Sequence, residues 1–258
     1  MTAHTIDQLA LYGPDRCEAM SVQDARRWCA QLAKNHYENF SVLTSVVPGD
    51  LRGDFAVVYA FCRWSDDLGD EVGDRARATD LLAWWRQELR MCFEGNPRHP
   101  VFVALQPTIT QHALEMQPFA DLISAFEMDQ RVTRYQTWDE LIGYCKLSAN
   151  PVGRLVLGLF DELKGADASR KLKASDQICT ALQLTNHIQD IKRDFLERDR
   201  IYVPREMINI DDFESRLRAS AKQGFGIDQN FLGETRVVIR ECVERTWKMF
   251  EDGGRLLD

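Results

Sequence analysis

The chain has 258 residues, a net charge of −8, and is 45% hydrophobic and 28% charged. These values fit a soluble globular protein and argue against nucleic acid as a partner. No apolar run approaches the ~20 residues that span a bilayer, and the N-terminal stretch MTAHTIDQLALYGPDRC lacks the basic-then-apolar pattern of a signal peptide. The seven cysteines (Cys17, Cys29, Cys62, Cys92, Cys145, Cys179, Cys242) are odd in number and form no CxxC pair, so they read as reduced, half-buried fillers of a cytosolic protein. The few histidines show no ligand spacing to the cysteines, which disfavours zinc.

Helical periodicity dominates from one end to the other. Ser21-Val-Gln-Asp24 resembles a capping box, with Asp in place of Glu, and opens a helix towards His36. Pro48-Gly49-Asp50 is a turn, and Leu51 to about Asp70 follows as a helix with Phe55, Val58, Tyr59 and Cys62 on one stripe. Asp80 to Glu94 is a strong helix closed by Gly95-Asn96-Pro97; Phe102 to Glu115 and Phe119 to Arg131 come next. Trp138 to Ser148 is interrupted at Asn150-Pro151, after which Val152 to Leu163 continues. Lys171 to Phe195 is the longest regular segment, a loop occupies Arg198 to Pro204, and shorter helices lie near 211–222 and 231–250. Alternating period-two runs are almost absent, so the chain reads as all-α, a single-domain helical bundle over 1–258.

Two acidic segments stand out. Arg63-Trp-Ser-Asp66-Asp67-Leu-Gly-Asp70-Glu71 closes an apolar-periodic helix, with Asp66 and Asp70 one turn apart, about 6 Å along the axis. The four carboxylates repel one another, and Gly69 costs the helix about 1 kcal/mol relative to alanine. A run that weakens its own helix is a candidate site. The second segment, Asn186-His-Ile-Gln189-Asp190-Ile-Lys-Arg193-Asp194, sets Asn186, Asp190 and Asp194 at i, i+4 and i+8, with Ile188 and Ile191 on a different side. Oxygen-only ligands on rigid helices suit hard cations, and Mg2+ prefers a few carboxylates, several waters and phosphate oxygens. Either segment alone is usually a solvated acidic face or an ion-pair patch; the two together, each with an arginine nearby, point to a metal-bridged diphosphate.

On these residues the sequence resembles the squalene/phytoene synthase family, the head-to-head prenyl transferases of the isoprenoid synthase fold. Arg63 precedes Asp66 by three residues, as in the family's first motif. Asn186-Asp190-Asp194 matches its N-x-x-x-D-x-x-x-D, followed by the basic loop Arg200-Ile201-Tyr202. Tyr144-Cys145-Lys-Leu-Ser-Ala149-Asn-Pro-Val152-Gly153 matches its Y-C-x-x-x-A-x-x-V-G. The resemblance is strongest over 20–208, and relatives are expected to continue beyond Asp258 through a further helical stretch. Where the family carries Ser-x-Ser-Phe, this chain has His36-Tyr37-Glu38-Asn39-Phe40. That stretch, with Asn150-Pro151, is most like the HpnC-type hydroxysqualene/squalene synthases of hopanoid biosynthesis.

The resemblance implies a helical bundle around a central cavity and a Mg2+-dependent enzyme. Its expected reaction converts presqualene diphosphate to hydroxysqualene with release of diphosphate, water ending the reaction and NADPH not required. Asp66, Asp70, Asn186, Asp190 and Asp194 are the expected metal ligands. Arg63, Arg193 and Arg200, with Tyr37, Gln189 and Tyr202, are expected to contact substrate. Tyr144 offers a phenol or a π-face to a cation. Phe40, Val58, Leu155, Leu159 and Leu182 are candidate cavity walls, and His36, Asn39 and Asn150 candidates for placing water. His187 and Lys146 read as structural or solvated. The apolar substrate and product imply peripheral contact with a membrane and functional coupling to other squalene-pathway enzymes. Two other readings stand beside this one: a full squalene or phytoene/dehydrosqualene synthase acting on farnesyl or related prenyl diphosphates, and a non-catalytic assembly or lipid-binding member of the fold.

Overall fold

A computed structural model describes residues 5–35, 46–223 and 228–257. Among them are eleven α-helices and no strand beyond isolated bridges. The helices are α1 (Thr5–Tyr12), α2 (Val22–Asn35), α3 (Arg52–Asp70), α4 (Arg75–Phe93), α5 (Pro100–His112), α6 (Met116–Asp129), α7 (Trp138–Ser148), α8 (Asn150–Leu159), α9 (Ala168–Arg198), α10 (Phe213–Gln223) and α11 (Gln229–Arg255). The all-α expectation holds. None of these helices is long and apolar enough to cross a membrane.

Several helices begin earlier than the apolar pattern suggests, because caps rather than hydrophobic residues start them. Asp74, not Asp80, opens α4: its carboxylate accepts from the Arg77 N–H at 2.7 Å. His99 opens α5, its Nδ1 accepting from the Val101 N–H at 3.2 Å, with Pro100 in the first turn where a missing N–H costs nothing. The break before Pro151 falls at Ala149, whose N–H bonds back to Cys145 while Asn150 restarts the helix.

The chain divides into two compact units, Met1–Gln130 with Arg154–Gly165, and Arg131–Gly153 with Ala166–Asp258. In the first, α2 to α6 enclose an aromatic core. Trp64 and Trp85 stack at 5.5 Å and 16°, and Phe61 meets Phe119 edge-on at 5.0 Å. His99 is fully buried among these rings, 4.3 Å from Trp64 and 4.8 Å from Trp85, and burial holds its imidazole well below the ordinary value. The buried Asp54 ties α2, α3 and α5 together. It accepts from Thr108 at 2.6 Å and Arg26 at 2.9 Å, and His112 lies 3.3 Å away. In the second unit, Phe195, Ile201, Val203, Leu217, Phe231 and Val238 form a separate apolar cluster. All seven cysteines are free thiols; burial pushes those of Cys29, Cys62, Cys92 and Cys145 up to about 12, as unreactive fillers should be.

Candidate functional site

The first acidic segment lies on α3, which buries most of its surface. Tyr59, Cys62, Arg63, Asp66 and Asp70 are half-buried, and their spacing of three and four residues makes them one stripe. Asp66 and Asp70 therefore share a face, as their spacing requires. Asp67 does not share it. Its carboxylate is buried and ion-paired with Arg63, whose other nitrogen lies 3.5 Å from Asp66. Sequence reasoning aimed Arg63 at diphosphate; in the structure it bridges two aspartates of its own motif. Gly69 has a packing reason as well as a cost. A Cβ there would sit 3.2 Å from Phe126, so α6 crosses α3 at close range, and the Gln130 amide donates to the Gly69 carbonyl at 3.0 Å.

The second segment lies on α9 and is graded along the helix. Asn186 is exposed, the Asp190 side chain is 35% exposed and that of Asp194 only 8%. Arg193 bonds Asp190 at 2.7 Å and approaches Asp194 at 3.9 Å, while Arg198 reaches Asp194 at 3.4 Å. Burial pushes the Asp194 carboxyl above the ordinary carboxylate range; Arg193 and Arg198 pull it back only in part. Gln189 is exposed beside the ladder. Leu182, one turn before Asn186, is 52% exposed, so it is available as an apolar wall. Val58, Leu155 and Leu159 instead belong to the core of the first unit, and a role for them as walls is not needed to explain their burial.

The helix ends in a turn that carries the basic loop. Asp199 adopts a left-handed conformation (φ 53°), and the N–H groups of Asp199 and Arg200 both bond the Asp194 carbonyl. The following segment then runs beside 133–136. The Ile201 N–H donates to Thr133 at 2.9 Å, Arg205 to Tyr135 at 2.9 Å and Glu206 to Gln136 at 3.0 Å. Arg134 clamps this pairing, with two bonds to Glu214 at 2.9 and 3.0 Å and one to Asp199 at 2.9 Å. Sequence reasoning missed Arg134, because its partners lie 65 and 80 residues away. A cavity of about 380 Å³ behind this segment is bounded by Arg134, Ile201, Val203, Phe213 and Glu214 among others, and no acidic-motif residue lines it.

Arg200 and Tyr202 are buried, and Tyr202 enters an aromatic group with Tyr135, Tyr144 and His187. The His187 ring stacks on Tyr202 at 3.6 Å and 15°, and lies 5.9 Å from Tyr144. Burial, and then the charge of Arg200, pull the His187 imidazole down to about 3, so it is neutral at working pH. The sequence leaves His187 as either structural or solvated; the structure buries it in this stack. Asn150 is buried, and its side-chain oxygen accepts from the Thr180 hydroxyl at 2.8 Å, which ties α8 to α9. Nearby, Gly153 admits α9 so closely that a Cβ would lie 2.2 Å from the Ser175 hydroxyl oxygen. Lys146 is exposed. His36, Tyr37, Asn39 and Phe40 lie outside the described residues.

The donor set fits a hard cation shared with a ligand better than a protein-only cage. Among the described residues no group of three or more His, Cys, Asp or Glu could hold a metal ion. Taken separately, the two half-exposed carboxylates on α3, and the carboxamide with two carboxylates on α9, each leave most coordination positions to water and phosphate, the pattern Mg2+ prefers.

Known proteins resemble this chain in sequence and in fold. The model of the squalene/phytoene synthase family matches residues 33–258, so the likeness extends through α10 and α11, past the motifs that end near 208. The hydroxysqualene synthase of Zymomonas mobilis is 37% identical over 175 residues, 66% of this chain and 56% of that protein. The hydroxysqualene synthase of Sinorhizobium fredii is 33% identical over 229 residues, 87% of this chain and 72% of that protein. Among solved structures, the squalene synthase HpnC from Alicyclobacillus acidocaldarius superposes with a TM-score of 0.75 at 44% identity, covering 91% of this chain and 84% of that one. With the isoprenoid synthase fold and both acidic motifs in place, the chain belongs to the squalene/phytoene synthase family.

Proposed function

We propose that the chain is a prenyl transferase of the head-to-head class that takes presqualene diphosphate and releases hydroxysqualene and diphosphate, a step towards hopanoids. The observation that carries this reading is the pair of oxygen-donor sets, one half-exposed on α3 and one graded from the exposed Asn186 to the buried Asp194 on α9, each with an arginine paired to one of its carboxylates. Asp66 and Asp70, and Asn186, Asp190 and Asp194, would hold Mg2+, which when bound supplies positive charge to the leaving diphosphate. Arg63 and Arg193 keep the carboxylates oriented and have forked donors to offer phosphate oxygens. The carbon–oxygen bond breaks with its electron pair leaving on diphosphate. The cation that remains rearranges, and a water molecule adds to it and loses one proton. The phenol ring of Tyr144 would offer that cation a π-face.

Product identification by mass spectrometry tests the proposal, after incubation of the chain with presqualene diphosphate and Mg2+ in the absence of NADPH. Hydroxysqualene is expected. A product formed from farnesyl diphosphate alone would move the reading to a full squalene or dehydrosqualene synthase. No metal-dependent diphosphate release from either substrate would remove the enzymatic reading.

A further inference from the structure

His187 follows the ligand Asn186 in sequence, yet it points the other way. Successive helical residues are rotated by about 100°, so Asn186 lies on the exposed face of α9 while His187 is turned inward. There its ring lies flat against Tyr202 at 3.6 Å, with Tyr144 5.9 Å away and Gln183 one turn back at hydrogen-bond distance, 3.3 Å. Leu141, Leu184, Ile188, Cys242 and Thr246 line a small apolar cavity beside the same two rings. Any apolar side chain would fill that space; a planar ring is what contacts Tyr202 face to face.

The geometry points to His187 as a positioning residue that pins the Arg200-Ile201-Tyr202 segment to the ligand helix by stacking on Tyr202. The segment is attached to α9 at two places. At one end the Arg200 N–H bonds the Asp194 carbonyl at 3.0 Å. At the other, seven residues back along the helix and about 10 Å away, His187 holds Tyr202. With both in place, Arg200 keeps a fixed offset from Asn186 and Asp190. Loss of the stack leaves the backbone bonds of Arg200 and Ile201 in place but frees the Tyr202 end of the segment from α9. The inference deepens the proposed function and rests on the diphosphate reading of the two motifs.

The test is isothermal calorimetry of inorganic pyrophosphate with Mg2+ binding to the intact chain and to three variants, together with near-ultraviolet circular dichroism in the tyrosine region. His187→Phe keeps a flat ring, and His187→Leu fills the space without one. Tyr202→Leu removes the other partner. Expected are near-native affinity and tyrosine signal for His187→Phe, and about tenfold weaker binding with a changed tyrosine signal for both His187→Leu and Tyr202→Leu. Native-like binding by His187→Leu, or equal weakening by His187→Phe, overturns the positioning role. Absence of metal-dependent pyrophosphate binding in the unaltered chain would instead overturn the functional reading beneath it.

Discussion

The two acidic motifs solve one problem in opposite ways. On α3 the proposed ligand carboxylates, Asp66 and Asp70, stay half-exposed, and a separate buried acid, Asp67, pairs with Arg63. On α9 no acid is set aside: Asp194 is itself the innermost member of the ladder, buried and only partly compensated by Arg193 and Arg198. A motif with a dedicated support residue can be stable and functional at once. A motif whose ligand is also its buried charge trades fold stability for binding.

That contrast predicts substitutions with opposite signs. Asp194→Asn should show the largest effect on function, with turnover lower by roughly a thousandfold on loss of a carboxylate that would hold the Mg2+ facing the leaving diphosphate. The same change should raise the melting temperature of the metal-free chain by about 2–4 °C for each kcal/mol of burial penalty relieved, as read by calorimetry. A lower melting temperature would erase the distinction between the motifs. Asp67→Asn should do the reverse, costing the fold about 3 kcal/mol because Arg63 loses its buried partner. Its turnover should fall less than that of Asp194→Asn; urea unfolding and a diphosphate-release assay check both parts.

Smaller effects test the scaffold behind each motif. Gly69→Ala gains about 1 kcal/mol of helix propensity but crowds Phe126, and overpacking at such a crossing costs about 1–3 kcal/mol, so net destabilisation is expected. Urea unfolding of Gly69→Ala against the unaltered chain measures this loss. The smallest effect is the pH dependence of the first unit. His99 is held neutral in the folded chain, whereas the unfolded chain takes up a proton near pH 6.5. The folded pKa is lowered, so stability is lost as pH falls below that value, by up to about 1.4 kcal/mol per pH unit. His99→Asn keeps a capping acceptor and should flatten this part of the slope, though it starts from a lower stability at neutral pH.

Local pattern made much of this protein readable from sequence. Apolar periodicity located the helices, and the spacing of Asp66 with Asp70, and of Asn186 with Asp190 and Asp194, placed each set on one face. What stayed hidden depends on residues far away in the chain. Asp67 and Asp70 look alike as letters, and only the burial of α3 separates support from ligand. Gly69 read as a cost until Phe126 was found across from it. Arg134 carries no local signal, since Asp199 and Glu214 are brought to it by the folding of α9 and α10. His187 looked incidental because its partner, Tyr202, lies beyond the end of its own helix. Helix starts differ where Asp74 caps a stretch poor in apolar residues and where His99 caps a helix that begins at Pro100.

The pairing of 133–136 with 201–206 carries a kinetic consequence. Joining Arg134 to Asp199 encloses a loop of 65 residues, whose closure entropy is on the order of 4 kcal/mol. The backbone bonds and the arginine clamp recover that only once α7 and α9 exist and can meet. The segment bearing Arg200 and Tyr202 should therefore acquire amide-exchange protection after the helices it joins, so that the proposed diphosphate-contacting segment forms only in the final stage of folding.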